Sequence, residues 1–128
     1  MTRQKIDFSG VLSRAGAPEA RKADDVIFRQ GDRGKTMYLV KSGEVALKAG
    51  DPVLATVAAG GVFGEMALLD DAPPSATAIA ATDCEIVAID ERRFVFLVSQ
   101  TPFFALNLLK LLERRLRAAN QKLEEGKK

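Results

Sequence analysis

The residues of this chain whose types and spacing could do chemistry lie in one stretch, residues 60–78, which reads GGVFGEMALLDDAPPSATA. Its glycines let a ligand approach the main chain without a Cβ in the way, and N–H groups at the start of a short helix form a concave set of donors. The carboxylate of Glu65 is placed to accept from a pair of hydroxyls, while Ser75 and the N–H of Ala76 can donate to a phosphate oxygen. The stretch therefore predicts a site for an anionic sugar ligand, although it contains no cationic side chain.

This segment resembles the phosphate-binding cassette of the cyclic nucleotide-binding domain family, whose pattern is roughly F-G-E-aliphatic-A-L, a short loop, then P-R-S/T-A. Here FGEMAL occupies residues 63–68 and PPSA occupies residues 73–76. The resemblance implies that Glu65 holds the ribose 2′-hydroxyl and that Met66 belongs to the site. It also implies that four residues line the cyclic phosphate: Gly64, Ala67, Ser75 and Ala76. The similarity extends to VIFRQGDRGKTMYLVKSGEVAL at residues 26–47, which is similar to the opening hairpins of that fold.

Pro74 occupies the position of the phosphate-pairing arginine of the family, and it leaves two interpretations open. In the first, cAMP or cGMP still binds, weakened by a missing charge-assisted hydrogen bond worth about 1.5 to 3 kcal/mol. In the second, the pocket takes an uncharged or different ligand, or none. Residues 36–90 contain two basic and eight acidic residues, so an anion there needs a local cation or many N–H donors. By sequence the nearby cations are Arg33, Lys35 and Lys41, for which solvated surface is the default.

Short β-rich runs, separated by glycine-containing turns at a spacing of roughly 8 to 12 residues, must position this segment. They predict an antiparallel sandwich or barrel. Together with the resemblance, this implies a mainly β fold with flanking α-helices: an antiparallel β-roll or jelly-roll barrel of about eight short strands. We expect residues 1–128 to form a single cyclic nucleotide-binding-like domain. Its parts are an N-terminal helical region at 1–24, the β-roll at 25–90, C-terminal helices at 91–124 and a tail at 125–128.

The pattern changes to a helical period at Asp90, a good N-cap for a short helix, and Thr101-Pro102 begins a second helix that runs to about Glu124. Phe103 and Phe104 at its start either stack on a purine as a lid or belong to the core. The basic residues of this helix are interpreted as a solvated face: Lys110, Arg114, Arg115, Arg117 and Lys122. Residues spaced alternately by four and three predict a dimerisation or partner-docking seam: Ala105, Leu109, Leu112, Leu116, Ala119 and Leu123.

Composition argues against several other functions. The chain has no histidine, the commonest general base and metal ligand, so we expect no catalysis, no metal site and no cofactor. The single cysteine, Cys84, is expected to be a buried hydrophobe, which excludes an internal disulfide. No apolar run is typical of a signal peptide or a membrane span, so a cytoplasmic location is expected. Neither nucleic acid nor membrane is an expected partner.

The leading hypothesis is a non-enzymatic ligand-sensing regulatory module that binds cAMP or cGMP weakly, or a related nucleoside. The alternative is a degenerate domain that binds no cyclic nucleotide and acts in dimerisation or protein interaction.

Overall fold

Eight strands form two four-stranded antiparallel sheets in the computed structural model, which describes residues 6–70 and 73–126. The strands are β1 (Glu19–Arg21), β2 (Val26–Phe28), β3 (Thr36–Ser42), β4 (Glu44–Lys48), β5 (Val53–Ala58), β6 (Val62–Phe63), β7 (Thr77–Ala80) and β8 (Cys84–Asp90). One sheet has the order β1-β8-β3-β6 and the other the order β2-β7-β4-β5. The predicted β-roll of about eight short strands is confirmed.

Helices lie before the first strand, between β6 and β7, and after β8 in the described chain. They are a 3₁₀ turn (Ser9–Val11), α1 (Leu12–Ala15), α2 (Glu65–Asp70), α3 (Glu91–Gln100) and α4 (Pro102–Gly126). Asp90 caps α3 as predicted, because its carboxylate accepts a hydrogen bond of 2.8 Å from the backbone N–H of Arg93. The 25 residues of α4 correspond to a helix about 37 Å long. The predicted long C-terminal helix is confirmed.

The N-terminal region differs from the prediction of a helical segment over residues 1–24. Helix α1 ends before the Gly16-Ala17-Pro18 break, and β1 follows it. Glu19 and Arg21 of β1 pair with Ile86 and Cys84. This short strand therefore provides hydrogen-bond partners for the backbone groups along one edge of β8. The β region therefore begins at residue 19 rather than 25. Residues 1–5 of the predicted helical region, and residues 127–128 of the predicted tail, lie outside the described residues, while α4 extends two residues beyond Glu124.

Alternating side chains give the β1-β8-β3-β6 sheet two buried faces. On β3, Met37 and Leu39 point to a core shared with the helices, while Val40 points to a core between the two sheets. On β8, Val87 and Ile89 join the first core, whereas Cys84 and Ile86 join the second. Helix α4 is held on the first core by Phe104 and Leu108, which are both buried. The second core contains the buried cysteine that the sequence predicted.

No single helix among the described residues is long and apolar enough to cross a bilayer. Taken together, α3 and the portion of α4 up to Glu124 have the length and composition for a broken span, but they are bent by 113° relative to each other.

Candidate functional site

The segment singled out by the sequence runs from β6 through α2 to the start of β7. Gly64 joins β6 to α2 with a positive φ of 77°. A Cβ at this position would lie 3.2 Å from the carbonyl oxygen of Thr36 and 3.4 Å from a ring carbon of Phe28. Both the backbone conformation and the close packing therefore require glycine here. This turn sets the direction in which α2 leaves the sheet.

A cavity of about 200 Å³ lies between this segment and α4. All seven residues that the sequence nominated line it: Gly64, Glu65, Met66, Ala67, Pro74, Ser75 and Ala76. Its remaining walls come from Phe28, Leu47 and Ala55 of the sheets and from Arg115 of α4. The fold thus brings the two halves of the motif, residues 63–68 and 73–76, around one space.

Glu65 is the one charged side chain that is buried among the described residues, with 2% of its surface exposed. Its carboxylate forms an ion pair with the guanidinium of Arg115. Within the described part of the chain, Oε1 has no partner in hydrogen-bonding geometry, so the charge of Arg115 is its compensation. A buried carboxylate without a nearby cation is strongly unfavourable, and this contact fastens α4 to α2.

Arg115 is a site residue that the sequence interpretation missed, because it was assigned to the solvated face of the helix. Its side chain is 46% exposed, and partial burial lowers its pKa from the ordinary value by desolvation. The spacing of residues along α4 could have indicated that Arg115 faces the core side of the helix. Phe104, Leu108 and Leu111 form the stripe of α4 that packs on the core, and Arg115 continues it after spacings of four, three and four residues.

A second cavity of about 240 Å³ adjoins the first and shares four wall residues with it, including Gly64 and Pro74. Arg33, one of the cations considered from sequence, lines this second cavity and not the first. The N–H of Gly31 donates a 3.0 Å hydrogen bond to the carbonyl of Pro74, which ties the β2–β3 loop to the motif. Lys41, another of those cations, is exposed on β3.

The aromatic residues at the start of α4 do not reach the cavity. Phe103 is 72% exposed, and Phe104 is buried with its ring centroid 6.1 Å from that of Phe8 and 5.6 Å from that of Phe94. In this structure neither ring lines the cavity, and Phe104 belongs to the core, one of the two roles that the sequence left open. Burial of Phe104 fixes the first turn of α4 against the core, so the helix meets the cavity at Arg115, about 17 Å further along.

The predicted seam of α4 is split between the core and solvent. Leu112 packs against the core with part of its surface. Leu109, Leu116 and Leu123, which are spaced by seven, are 63%, 63% and 66% exposed. Near them Glu113 and Arg117 form an exposed i,i+4 ion pair. The outer line of the seam is thus an apolar stripe on the helix surface.

In residues 6–70 and 73–126, no group of three His, Cys, Asp or Glu side chains is arranged to hold a metal ion.

Comparison with known proteins gives a consistent result. A family model described as the cyclic nucleotide-binding domain matches residues 18–101. A cyclic AMP receptor protein of Thermus thermophilus is 42% identical over 103 residues, which are 77% of this chain and 48% of that protein. A cAMP-dependent protein kinase regulatory subunit of Hypocrea atroviridis is 40% identical over 70 residues, which are 55% of this chain and 15% of that protein.

Among solved structures, the catabolite activator protein of Thermus thermophilus is similar to this chain with a TM-score of 0.80 and 37% identity. The match covers 91% of this chain and 56% of that one. This chain spans about half the length of the first of these relatives, and less of the kinase subunit.

Proposed function

The chain belongs to the cyclic nucleotide-binding domain family, and from that premise we propose that it is a regulatory module that binds cAMP or cGMP between α2 and α4. The observation that carries the proposal is the cavity that all seven nominated residues line. Residues from both halves of the motif, such as Glu65 and Ser75, line the same space, as recognition of a compact sugar phosphate requires.

Each side of the cavity offers a different chemistry. We assign Glu65 to the ribose 2′-hydroxyl, because a carboxylate accepts hydrogen bonds from such a group. We assign Ser75 and the main chain at Gly64, Ala67 and Ala76 to the cyclic phosphate, where hydroxyl and N–H groups donate. Met66 and Pro74 form apolar walls. This assignment needs no catalytic group, so the proposed role is regulatory and non-enzymatic. The proposed location is the cytoplasm.

The contact between Arg115 and Glu65 supports a role for α4 in signalling. Arg115 brings α4 into the wall of the cavity and pairs with the carboxylate assigned to the ribose. A nucleotide that engages Glu65 would therefore alter the contact that holds this helix in place. The ligand state would then be read out as the position of α4.

Calorimetric titration with cAMP and cGMP tests the proposal. We expect saturable binding to the wild-type protein. Glu65→Gln should weaken it by about 10- to 100-fold, because a hydrogen bond to a charged group contributes about 1.5 to 3 kcal/mol. Glu44→Gln is a matched control, since Glu44 is an exposed acid at the start of β4, and it should bind as the wild type does. Absence of binding by both nucleotides at millimolar concentrations would refute the function.

A second candidate function is self-association through α4, and the exposed line of Leu109, Leu116 and Leu123 favours it. A second copy would cover this apolar stripe in the manner of a heptad seam. Sedimentation should then show a dimer that Leu116→Asp dissociates. Ala118→Asp places the same charge on a different face of the helix and should leave the dimer intact. A monomeric wild type would exclude this candidate.

A further inference from the structure

The motif contributes no positive charge to the cavity between α2 and α4. Residues 60–78 contain no lysine or arginine, and Pro74 stands where the family pattern has arginine. Glu65 adds a buried negative charge to the same space. An anionic ligand entering a small cavity beside a carboxylate is disfavoured unless a cation is present.

Among the described residues that line this cavity, Arg115 alone is cationic. It comes from α4 rather than from the motif, and it already contacts the carboxylate of Glu65 through Nη1. A guanidinium has five N–H donors in a fixed planar arrangement. The contact with one carboxylate oxygen therefore leaves donors available, and nearly half of the side chain is exposed.

We propose that Arg115 is the anion-pairing residue of this site and supplies from α4 the positive charge that Pro74 cannot. This inference rests on the proposed function, because it names the residue that would meet the phosphate group of the same ligand. One guanidinium bridges Glu65 on one side and the phosphate on the other.

The other cations near the site are less suitable. Arg33 lines the adjoining cavity with Pro74 but does not line the one that contains Glu65 and Ser75. Lys41 is exposed on β3. Arg115, by contrast, lines the same cavity as Glu65, the carboxylate assigned to the ribose. A ligand bound there would contact both side chains.

The test is a double-mutant cycle measured by calorimetric titration with cAMP. The proteins are the wild type, Arg115→Gln, Pro74→Arg and the variant that carries both changes. Arg117→Gln is a matched control, because it removes the same charge two residues away, where Arg117 pairs with Glu113. Arg115→Lys keeps the positive charge, so comparing it with Arg115→Gln separates the effect of losing the charge from the effect of replacing the side chain.

If Arg115 pairs with the phosphate, Arg115→Gln should weaken cAMP binding by about 10- to 100-fold. Arg117→Gln should have no effect, and Arg115→Lys should retain most of the affinity. Pro74→Arg should raise affinity at least tenfold more in the Arg115→Gln background than in the wild type, because the two cations serve the same anion. A neutral ligand, adenosine, should show no such loss on Arg115→Gln.

The remaining outcomes separate the two claims. If the wild type binds cAMP and Arg115→Gln binds equally well or more tightly, the inference is wrong while the function stands. Parallel loss of cAMP and adenosine affinity would assign Arg115 a purely structural role and would also overturn it. If the wild type binds no cyclic nucleotide, the proposed function itself fails, whether or not Pro74→Arg binds. Binding by Pro74→Arg alone would show that Arg115 does not supply the charge.

Discussion

Removing either partner of the Glu65–Arg115 ion pair should affect stability unequally, and the inequality follows from burial. Glu65 is 2% exposed, whereas Arg115 is 46% exposed. In Glu65→Gln, the freed guanidinium can turn towards water, so little charge is left uncompensated. In Arg115→Gln, the carboxylate stays buried beside Met66 and Ala67 with no cation near it. The second change should therefore be the more destabilising.

The loss in the free energy of unfolding can be bounded for each variant. Removing one partner of a fully buried pair costs about 3 to 5 kcal/mol, and exposed pairs contribute about 0 to 1 kcal/mol. With one partner buried and the other half exposed, we expect about 2 kcal/mol for Arg115→Gln and below about 1 kcal/mol for Glu65→Gln. For a chain of 128 residues, 1 kcal/mol corresponds to about 4 °C in Tm.

Urea unfolding followed by circular dichroism, with a check that the m-value is unchanged, measures both changes. Arg117→Gln should cost less than about 0.5 kcal/mol, because its ion pair with Glu113 is exposed. The double variant Glu65→Gln/Arg115→Gln should be more stable than Arg115→Gln alone, since no buried charge is left unpaired. The reasoning is refuted if Glu65→Gln proves the costlier single change, or if Arg115→Gln has no effect.

Three further measurements address other parts of the fold. Gly64→Ala should lower the free energy of unfolding by about 1 to 3 kcal/mol, because its φ is positive and its Cβ would meet neighbouring atoms; Gly34→Ala, at a site with no atom within 4 Å, should be nearly neutral. Asp90→Ala should cost about 1 kcal/mol in urea unfolding through loss of the α3 cap, and a neutral result would mean that the cap contributes nothing. Burial raises the pKa of the Cys84 thiol, so its alkylation by iodoacetamide at pH 8 should be slow and should accelerate only in denaturing urea; rapid labelling of the native protein would contradict this.

Much of the fold could be predicted because local signals agreed with the global arrangement. The strands alternate with glycine turns, and Gly43 shows why these turns are specific. It has a φ of 80°, and a Cβ there would lie 2.3 Å from the carbonyl oxygen of Asp83. The start of α3 was predictable because Asp90 is both the last residue of β8 and the cap of the helix.

The misassigned strand depends on tertiary pairing that no local pattern encodes. The run Glu19–Arg21 has no strand-like alternation of its own, and it is a strand because β8 offers it a hydrogen-bonding edge. For the neighbours Phe103 and Phe104, the helical spacing to Leu108 favours Phe104 as the buried one, and its packing against Phe8 and Phe94 fixes it in the core.

The candidate site was predictable as far as it is contiguous in sequence. Its seven nominated residues belong to one motif and line one cavity. Arg115 lies 50 residues from Glu65 along the chain, and charge composition alone placed it with the solvated residues of α4. A helical projection would have placed it below Leu111 on the buried stripe. Periodicity was thus more informative than charge at this position.

Arg115 also lies where α4 leaves the body of the domain, since the described side chains from Arg115 to Glu124 are all exposed. The helix beyond it is about 17 Å long and can tilt as a rigid segment about the Glu65–Arg115 ion pair. A tilt of about 10° at this point would move the far end by about 3 Å. A change in the contacts of a single guanidinium would thereby be amplified into a displacement large enough for another surface to detect.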